Sequence, residues 1–304
     1  MIMLYDEVCK ESPRAEALKE IRRFTDKEEP QLIRLLARTV DDMQNVVTYK
    51  TIRDALLSGS ISQSALSAIQ LAYTNFVAHT LVEMWDKAFQ SAGRDLEKRR
   101  QGFVYNPSNA SMDQWTQNRA ADFVTNCTKE TIAGVRAAVR RSVYHEAMGV
   151  DELAQAIRPM VGLNLPQVKA NQNYFNLLIK NGVSKKRATE MAQKYAERQH
   201  RYRAQMIART ESAMAYNHAQ YEAVHQAVSQ GYMGTVRKVW CTADDERTCD
   251  ECRSLDGQEI GLDEDFGFQS KLPKSHGMHR VPPAHPHCRC TVLYQEVSPP
   301  NKGD

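Results

Sequence analysis

The sequence predicts a mainly α chain, α+β overall, with long helices in its N-terminal and central regions and a small β-containing module near its C-terminus. Three observations carry that reading. Apolar residues recur at three- and four-residue spacing over stretches without Gly or Pro, from Gly59 to Gly93 and from Gly182 to Gly231. After Gly231 the pattern changes to two β-rich runs, Thr235 to Thr242 and Arg289 to Val297, able to pair in one small sheet. Between them the chain is rich in Gly, Pro, Cys and His and poor in apolar residues, so burial alone cannot order it.

Each element has a local reason. Arg14 to Phe24 and Gln31 to Val47 read as helices from their apolar spacing. Ser62 to Lys98 reads as one long helix with Ser60 or Ser62 as its cap. Asn106-Pro107-Ser108-Asn109 marks a break, so 102–111 is expected to be a linker or extended arm. Met112 to Met148 is a second helical set, and Asp151 to Ile157 a short capped helix stopped by Pro159. Ser184 to Gln230 is the longest element, capped by Ser184 and stopped by Gly231. The resulting division is a helical region at 1–101, the linker, a domain at 112–297 with a metal-site module at 235–297, and a flexible tail at 298–304.

The metal reading rests on spacing. Cys249-Asp-Glu-Cys252 offers two thiolates from one short turn, and His285-Pro-His-Cys288-Arg-Cys290 supplies a distant second half-site. Zn²⁺ takes four such ligands tetrahedrally, and a structural zinc would supply the order that the apolar residues lack. Five donors compete for four positions: Cys249, Cys252, His285, Cys288 and Cys290. In an extended segment Cys288 and Cys290 face the same side, so both are able to ligate. A disulfide clasp and plain free thiols are the rival readings. Cys241 reads as a packed small residue of the Trp-bearing strand, and Cys9 and Cys127 as isolated thiols.

Length, charge and termini bound the rest. At 304 residues the chain can hold two domains and a core that needs no crosslinks. A net charge of +3 argues against a polybasic nucleic-acid binder as a whole. No run of eighteen apolar residues exists, so no membrane span is expected. The first residues lack a basic stretch followed by an apolar one, so the expectation is a reducing cytoplasm, which favours metal-bound thiolates over disulfides.

Five blocks occur in order: Ala208-Arg209-Thr210-Glu211 on the long helix, the strand at Trp240, Asp245-Glu246-Arg247-Thr248-Cys249 leading to Cys252, Leu255-Asp256-Gly257, and His285-Pro286-His287-Cys288-Arg289-Cys290. Together they closely resemble the fingerprint of the phage head morphogenesis family, the Mu F-like minor head proteins. The resemblance covers roughly Cys127 to Leu293; the first hundred residues carry no such block. It implies a structural minor head protein of a tailed phage or prophage, without enzyme activity, acting in head assembly at or near the portal vertex. The implied location is the virion, in the head interior or at the portal vertex, with the host cytoplasm during assembly. Its implied partners are the portal, major capsid or scaffolding protein, docked by the N-terminal helices, with no membrane. His285 matches the family's His, whereas His287 occupies a variable position, and Asn217 also matches.

Other residues were weighed on their chemistry. Arg209 and Glu211, two positions apart, face different sides of the helix and do not pair with each other; one of them is expected to dock the helix on the metal loops. Asn217 is expected to join that network, and Trp240 to fill the small core. Lys185, Lys186, Arg198 and Arg201 form the basic first half of the long helix, either a solvated face or a contact for packaged DNA. His276, His279, His285 and His287, near Asp263, Glu264 and Asp265, raise the alternative of a metal-dependent nuclease or a toxin-associated enzyme on the same module. A closed shell of soft ligands leaves no position for a reacting water. The zinc-deaminase pattern is absent, since His145-Glu146 lacks the intervening residue, and no phosphate-binding Gly-rich loop appears.

Overall fold

The computed structural model describes residues 12–142, 148–243, 245–267 and 280–300. The chain is mainly helical, with one three-stranded antiparallel sheet. Helix α1 spans Pro13–Val46 and α2 Tyr49–Ser58. A long helical run follows as α3 (Gln63–Phe76), a π-helical turn (Val77–Leu81) and α4 (Val82–Arg99). Then come α5 (Ala110–Ser142), α6 (Val150–Ile157), a 3₁₀ turn at Arg158–Met160, α7 (Leu165–Lys180) and α8 (Lys185–Ser229). The C-terminal part holds β1 (Thr235–Cys241), α9 (Asp250–Leu255), β2 (Glu259–Gly261) and β3 (Thr291–Ser298).

The first two expected helices are one. Pro30 lies inside α1, where its ring removes a helical N–H, yet the helix continues. Apolar residues on both sides, Ala17, Ile21 and Phe24 before it and Leu32, Leu36 and Met43 after it, are buried, and that tertiary burial outweighs the lost bond. Two helices escaped the sequence reading although their caps were legible. Thr48 Oγ1 accepts from the Thr51 N–H at 3.2 Å at the start of α2. Asn164 and Gln167 form a reciprocal capping box at the start of α7. Ser62 does cap the long run, accepting from the Ala65 N–H. Residues 143–147, near the end of the second helical set and including His145 and Glu146, lie outside the described residues.

The described residues group into two compact units, each made of non-contiguous segments. One comprises Pro30–Glu83 and Asp113–Met206. Its centre pairs Tyr73 Oη with Thr131 Oγ1 at 2.8 Å, beside Phe76 and Phe123. The other comprises Met1–Glu29, Met84–Met112 and Ile207–Asp304 and carries the sheet, in the order β2-β1-β3. There Asp95 receives Arg23 and the Tyr216 hydroxyl, and Phe24 stacks on Tyr216 at 5.3 Å. The sequence-based divisions at 101/102 and 111/112 both fall inside this unit's segment Met84–Met112.

The expected linker is irregular until α5 begins at Ala110, but it is not a solvated arm. Phe103 and Tyr105 are buried, and the Tyr105 ring covers Gly93 so closely that a β-carbon there would sit 2.0 Å from the ring. Asn106 exchanges two hydrogen bonds with the Gln226 side chain. Ser298 ends β3, and the expected tail beyond residue 300 lies outside the described residues. No helix among the described residues is long and apolar enough to cross a membrane.

Candidate metal centre

The first half-site is the N-terminus of α9. Cys249 is its capping residue, with its sulfur accepting from the Cys252 N–H at 3.4 Å. One helical turn therefore sets both sulfurs on the same side. The turn is braced by Asp256, which accepts from the Thr242 N–H at 2.8 Å, the Thr242 hydroxyl at 2.9 Å and Arg14 at 2.6 Å. Gly257 follows in the left-handed region, φ 77°, and donates its N–H to the Trp240 carbonyl. This gives the Leu-Asp-Gly block a physical reason: it clamps the end of β1 to α9.

The second half-site is the Pro-rich segment before β3. His285 Nε2 lies 3.1 Å from both Cys249 Sγ and Cys252 Sγ. Its Nδ1 lies 2.8 Å from the Pro286 carbonyl, which can only accept. Nδ1 therefore carries the proton, and Nε2 is left as the ligand atom. Cys288 Sγ lies 3.7 Å from Cys252 Sγ, and Cys252, Cys288 and Cys290 have sulfurs mutually within 4.8 Å. The five donors thus form two triads, Cys249–Cys252–His285 and Cys252–Cys288–Cys290, which share Cys252.

Helix α8 holds this segment. The His287 N–H donates to Thr210 Oγ1 at 3.2 Å, and His287 itself adopts φ 64°. Asn217, fully buried, donates to the Cys290 carbonyl at 3.3 Å and accepts from the Thr291 hydroxyl at 2.8 Å. Cys252, Cys288 and Cys290 also belong to a buried cluster with Trp240, Leu255, Phe266 and Val292. Trp240 meets Phe266 edge-on at 5.0 Å and packs in the same buried cluster as Cys290.

The electrostatics favour thiolate at Cys288 and disfavour it at Cys252 and Cys290. Hydrogen bonds from Cys252 and Cys290 pull the Cys288 thiol well below its ordinary range, while the same contacts and burial push Cys252 up. Burial, then the nearby Arg209 charge, lowers His287. Arg289 makes a bidentate ion pair with Asp245, whose carboxyl is held far below the usual range by that contact. Zinc bonded to sulfur at about 2.3 Å places two sulfurs about 3.7 Å apart on a tetrahedral edge, as Cys252 and Cys288 are. The donor set therefore fits a soft metal ion.

Other predicted residues lie elsewhere. Arg209 does not dock α8 on these loops: its guanidinium pairs with Glu29 at 3.1 and 3.2 Å. Thr210 and Asn217, on the buried face of α8, hydrogen-bond the segment that carries the donors, and Glu211 is buried on the same helix. Lys185, Lys186, Arg198 and Arg201 are exposed on the first half of α8, in the other unit. Cys241 is buried at the end of β1, and Cys127 is buried in α5. Cys9, His276 and His279 lie outside the described residues. Sequence reasoning missed Arg14 and Lys238, and it read Asp256 only as part of the Leu-Asp-Gly block. Lys238 is fully buried, donates to the Arg280 carbonyl at 2.8 Å, and lies over the Tyr221 and Phe266 rings. A charged residue in the middle of a β-rich run was the available signal.

The family model described as phage Mu protein F like protein matches residues 135–293. Over 172 residues the chain is 26% identical to the NAD(+)–arginine ADP-ribosyltransferase EFV of Enterococcus faecalis. That match covers 57% of this chain and 31% of the relative, so the chain spans under a third of that protein's length. No solved structure matches the chain.

Proposed function

Because this chain belongs to the phage Mu protein F like family, we propose that it is a structural minor head protein of a tailed phage or prophage, and that its Cys/His cluster holds one structural zinc ion. Its proposed place is in head assembly at or near the portal vertex, bound to portal, capsid or scaffolding protein. The observation that carries the metal reading is the pair of donor triads sharing Cys252, built into the core of the module. Cys249, Cys252, His285 and Cys288 would be the ligands, with Cys290 held behind them by the hydrogen bond of its carbonyl to Asn217. Zinc there supplies a crosslink between α9 and the segment before β3. Four protein ligands close the shell, which supports a structural role over a metal-dependent nuclease or toxin-associated enzyme.

The docking surface is tested by substitution rather than truncation, since residues of the first hundred are integral to both compact units. Leu57 and Leu71 are 63% and 58% exposed. Leu57→Asp with Leu71→Asp should leave the unfolding curve unchanged and abolish entry into heads, followed by quantitative mass spectrometry of purified particles. Normal incorporation would move the docking surface out of the N-terminal helices. Metal analysis should return about one zinc per chain, and purified protein should leave DNA and RNA intact in the presence of Mg²⁺, Mn²⁺ or Zn²⁺.

A further inference from the structure

Beside the metal centre lies a cleft of about 330 Å³, walled by α1, α8 and the two loops that carry the donors. Three separate sequence blocks each place an arginine on its wall: Arg209 from the α8 block, Arg247 from the turn before Cys249, and Arg289 between Cys288 and Cys290. Arg22 of α1 adds a fourth. The metal-site reading uses none of these four charges.

We infer that this cleft is a docking site for an acidic peptide segment of a protein partner, whose carboxylates are received by Arg22 and Arg247 at its rim. The wall already shows the geometry. Glu29 occupies the fork of Arg209, and Asp245 that of Arg289, both in two-point contacts. These contacts hold two guanidiniums in place. Arg22 and Arg247 are exposed at the rim, and Arg247 reaches Asp245 only at 3.6 Å, which leaves donors for a ligand. Ile21 and Ala213 give the wall an apolar part suited to the stem of a glutamate.

The same wall argues against a nucleic-acid strand. Asp26, Glu29 and Asp245 line the cleft among the arginines. A phosphate chain carries a charge on every nucleotide and would meet these carboxylates, whereas a peptide can space its charges to miss them.

The test uses the full, metal-loaded chain and a fluorescein-labelled oligoglutamate whose glutamates are spaced by glycines, with the oligoglutamine of the same spacing and length as control, read by anisotropy. Oligoglutamate should bind and oligoglutamine should not, with affinity falling as salt rises. Arg22→Gln with Arg247→Gln should weaken binding about tenfold. Asp26→Asn removes a repulsive wall charge and should tighten it about twofold, a direction that misfolding cannot produce. Lys185→Gln with Lys186→Gln, in the other unit, should change nothing. Equal binding of the two peptides, or unchanged binding in the arginine variant, overturns the inference. So does a labelled single-stranded oligonucleotide that binds more tightly than oligoglutamate and is lost in the same arginine variant.

Discussion

Replacing Asn217 with alanine should detach the second half of α8 from the Cys290 segment. The side chain is fully buried and uses both ends of its amide. Its NH₂ group donates to the Cys290 carbonyl at 3.3 Å and to the Ala213 carbonyl at 2.9 Å, and its oxygen accepts from the buried Thr291 hydroxyl at 2.8 Å. The Ala213 carbonyl is the helical partner of residue 217's own N–H and stays satisfied. The loss is therefore two bonds between elements, about 1 kcal/mol each. The Cys290 carbonyl is left buried and unmet, at about 1–3 kcal/mol. The Thr291 hydroxyl retains only a long 3.5 Å approach to Gln220. The total comes to roughly 3–5 kcal/mol, a large part of a typical domain's stability. Urea unfolding of the metal-loaded chain, followed by tryptophan fluorescence and far-ultraviolet circular dichroism, measures it. Asn217→Asp keeps the acceptor for Thr291 but sets a carboxylate oxygen against the Cys290 carbonyl. It should be at least as harmful at neutral pH and recover partly on acidification, when the new carboxyl can donate. An Asn217→Ala protein within about 0.5 kcal/mol of the parent would refute the view that this amide joins helix and module.

Two further outcomes follow from the same geometry. Burial, and then the Arg280 charge, lower the Lys238 ammonium from 10.5 to about 8. The folded chain thus gives up this proton before the unfolded chain does. The destabilisation is complete below pH 8 and is relieved as pH rises to 10.5, by about 3 kcal/mol in all. Lys238→Met should lack that rise when the two proteins' unfolding curves are compared from pH 7 to 10.5; an equal rise in both would assign it to other groups. Cys252 belongs to both donor triads, whereas Cys290 lies outside the proposed ligand set, so Cys252→Ser should purify without zinc and Cys290→Ser with about one equivalent. Equal loss in the two variants would put Cys290 in the coordination shell.

Helix positions were legible where local chemistry and tertiary burial agree. Ser62 caps the long helical run, α8 occupies nearly the whole Gly- and Pro-free stretch, and β1 and β3 pair as the two β-rich runs. They were misread where burial overrode a local signal. Pro30 suggested a break, but α1 buries apolar residues on both sides of it. Asn106-Pro107 suggested a linker, but Phe103 and Tyr105 are buried, with the Tyr105 ring packed on Gly93, a contact that only the fold reveals. Strand β2 has three residues and no alternation to detect; it exists because Lys238 and its neighbours offer an edge.

The candidate site divides along a similar line. Donor identity and spacing are local, so Cys249, Cys252, His285, Cys288 and Cys290 are readable as a set. The groups that orient them are not. Arg14 reaches Asp256 across 242 positions, and Asn217 reaches Cys290 across 73. A pattern search sees charged residues on a helix and cannot tell which face is buried. Arg209 was expected to touch the loops because it is charged, but a charge with a nearby carboxylate pairs there. The buried face fell to Thr210 and Asn217, whose short polar side chains can be enclosed with all their hydrogen bonds met. Thr210 and Asn217 thus hydrogen-bond the metal loops to α8, and Arg209 faces the cleft beside them. An amide with both ends satisfied, as in Asn217, costs little to bury, whereas a guanidinium costs several kcal/mol unless it keeps solvent or a carboxylate, as Arg209 does with Glu29.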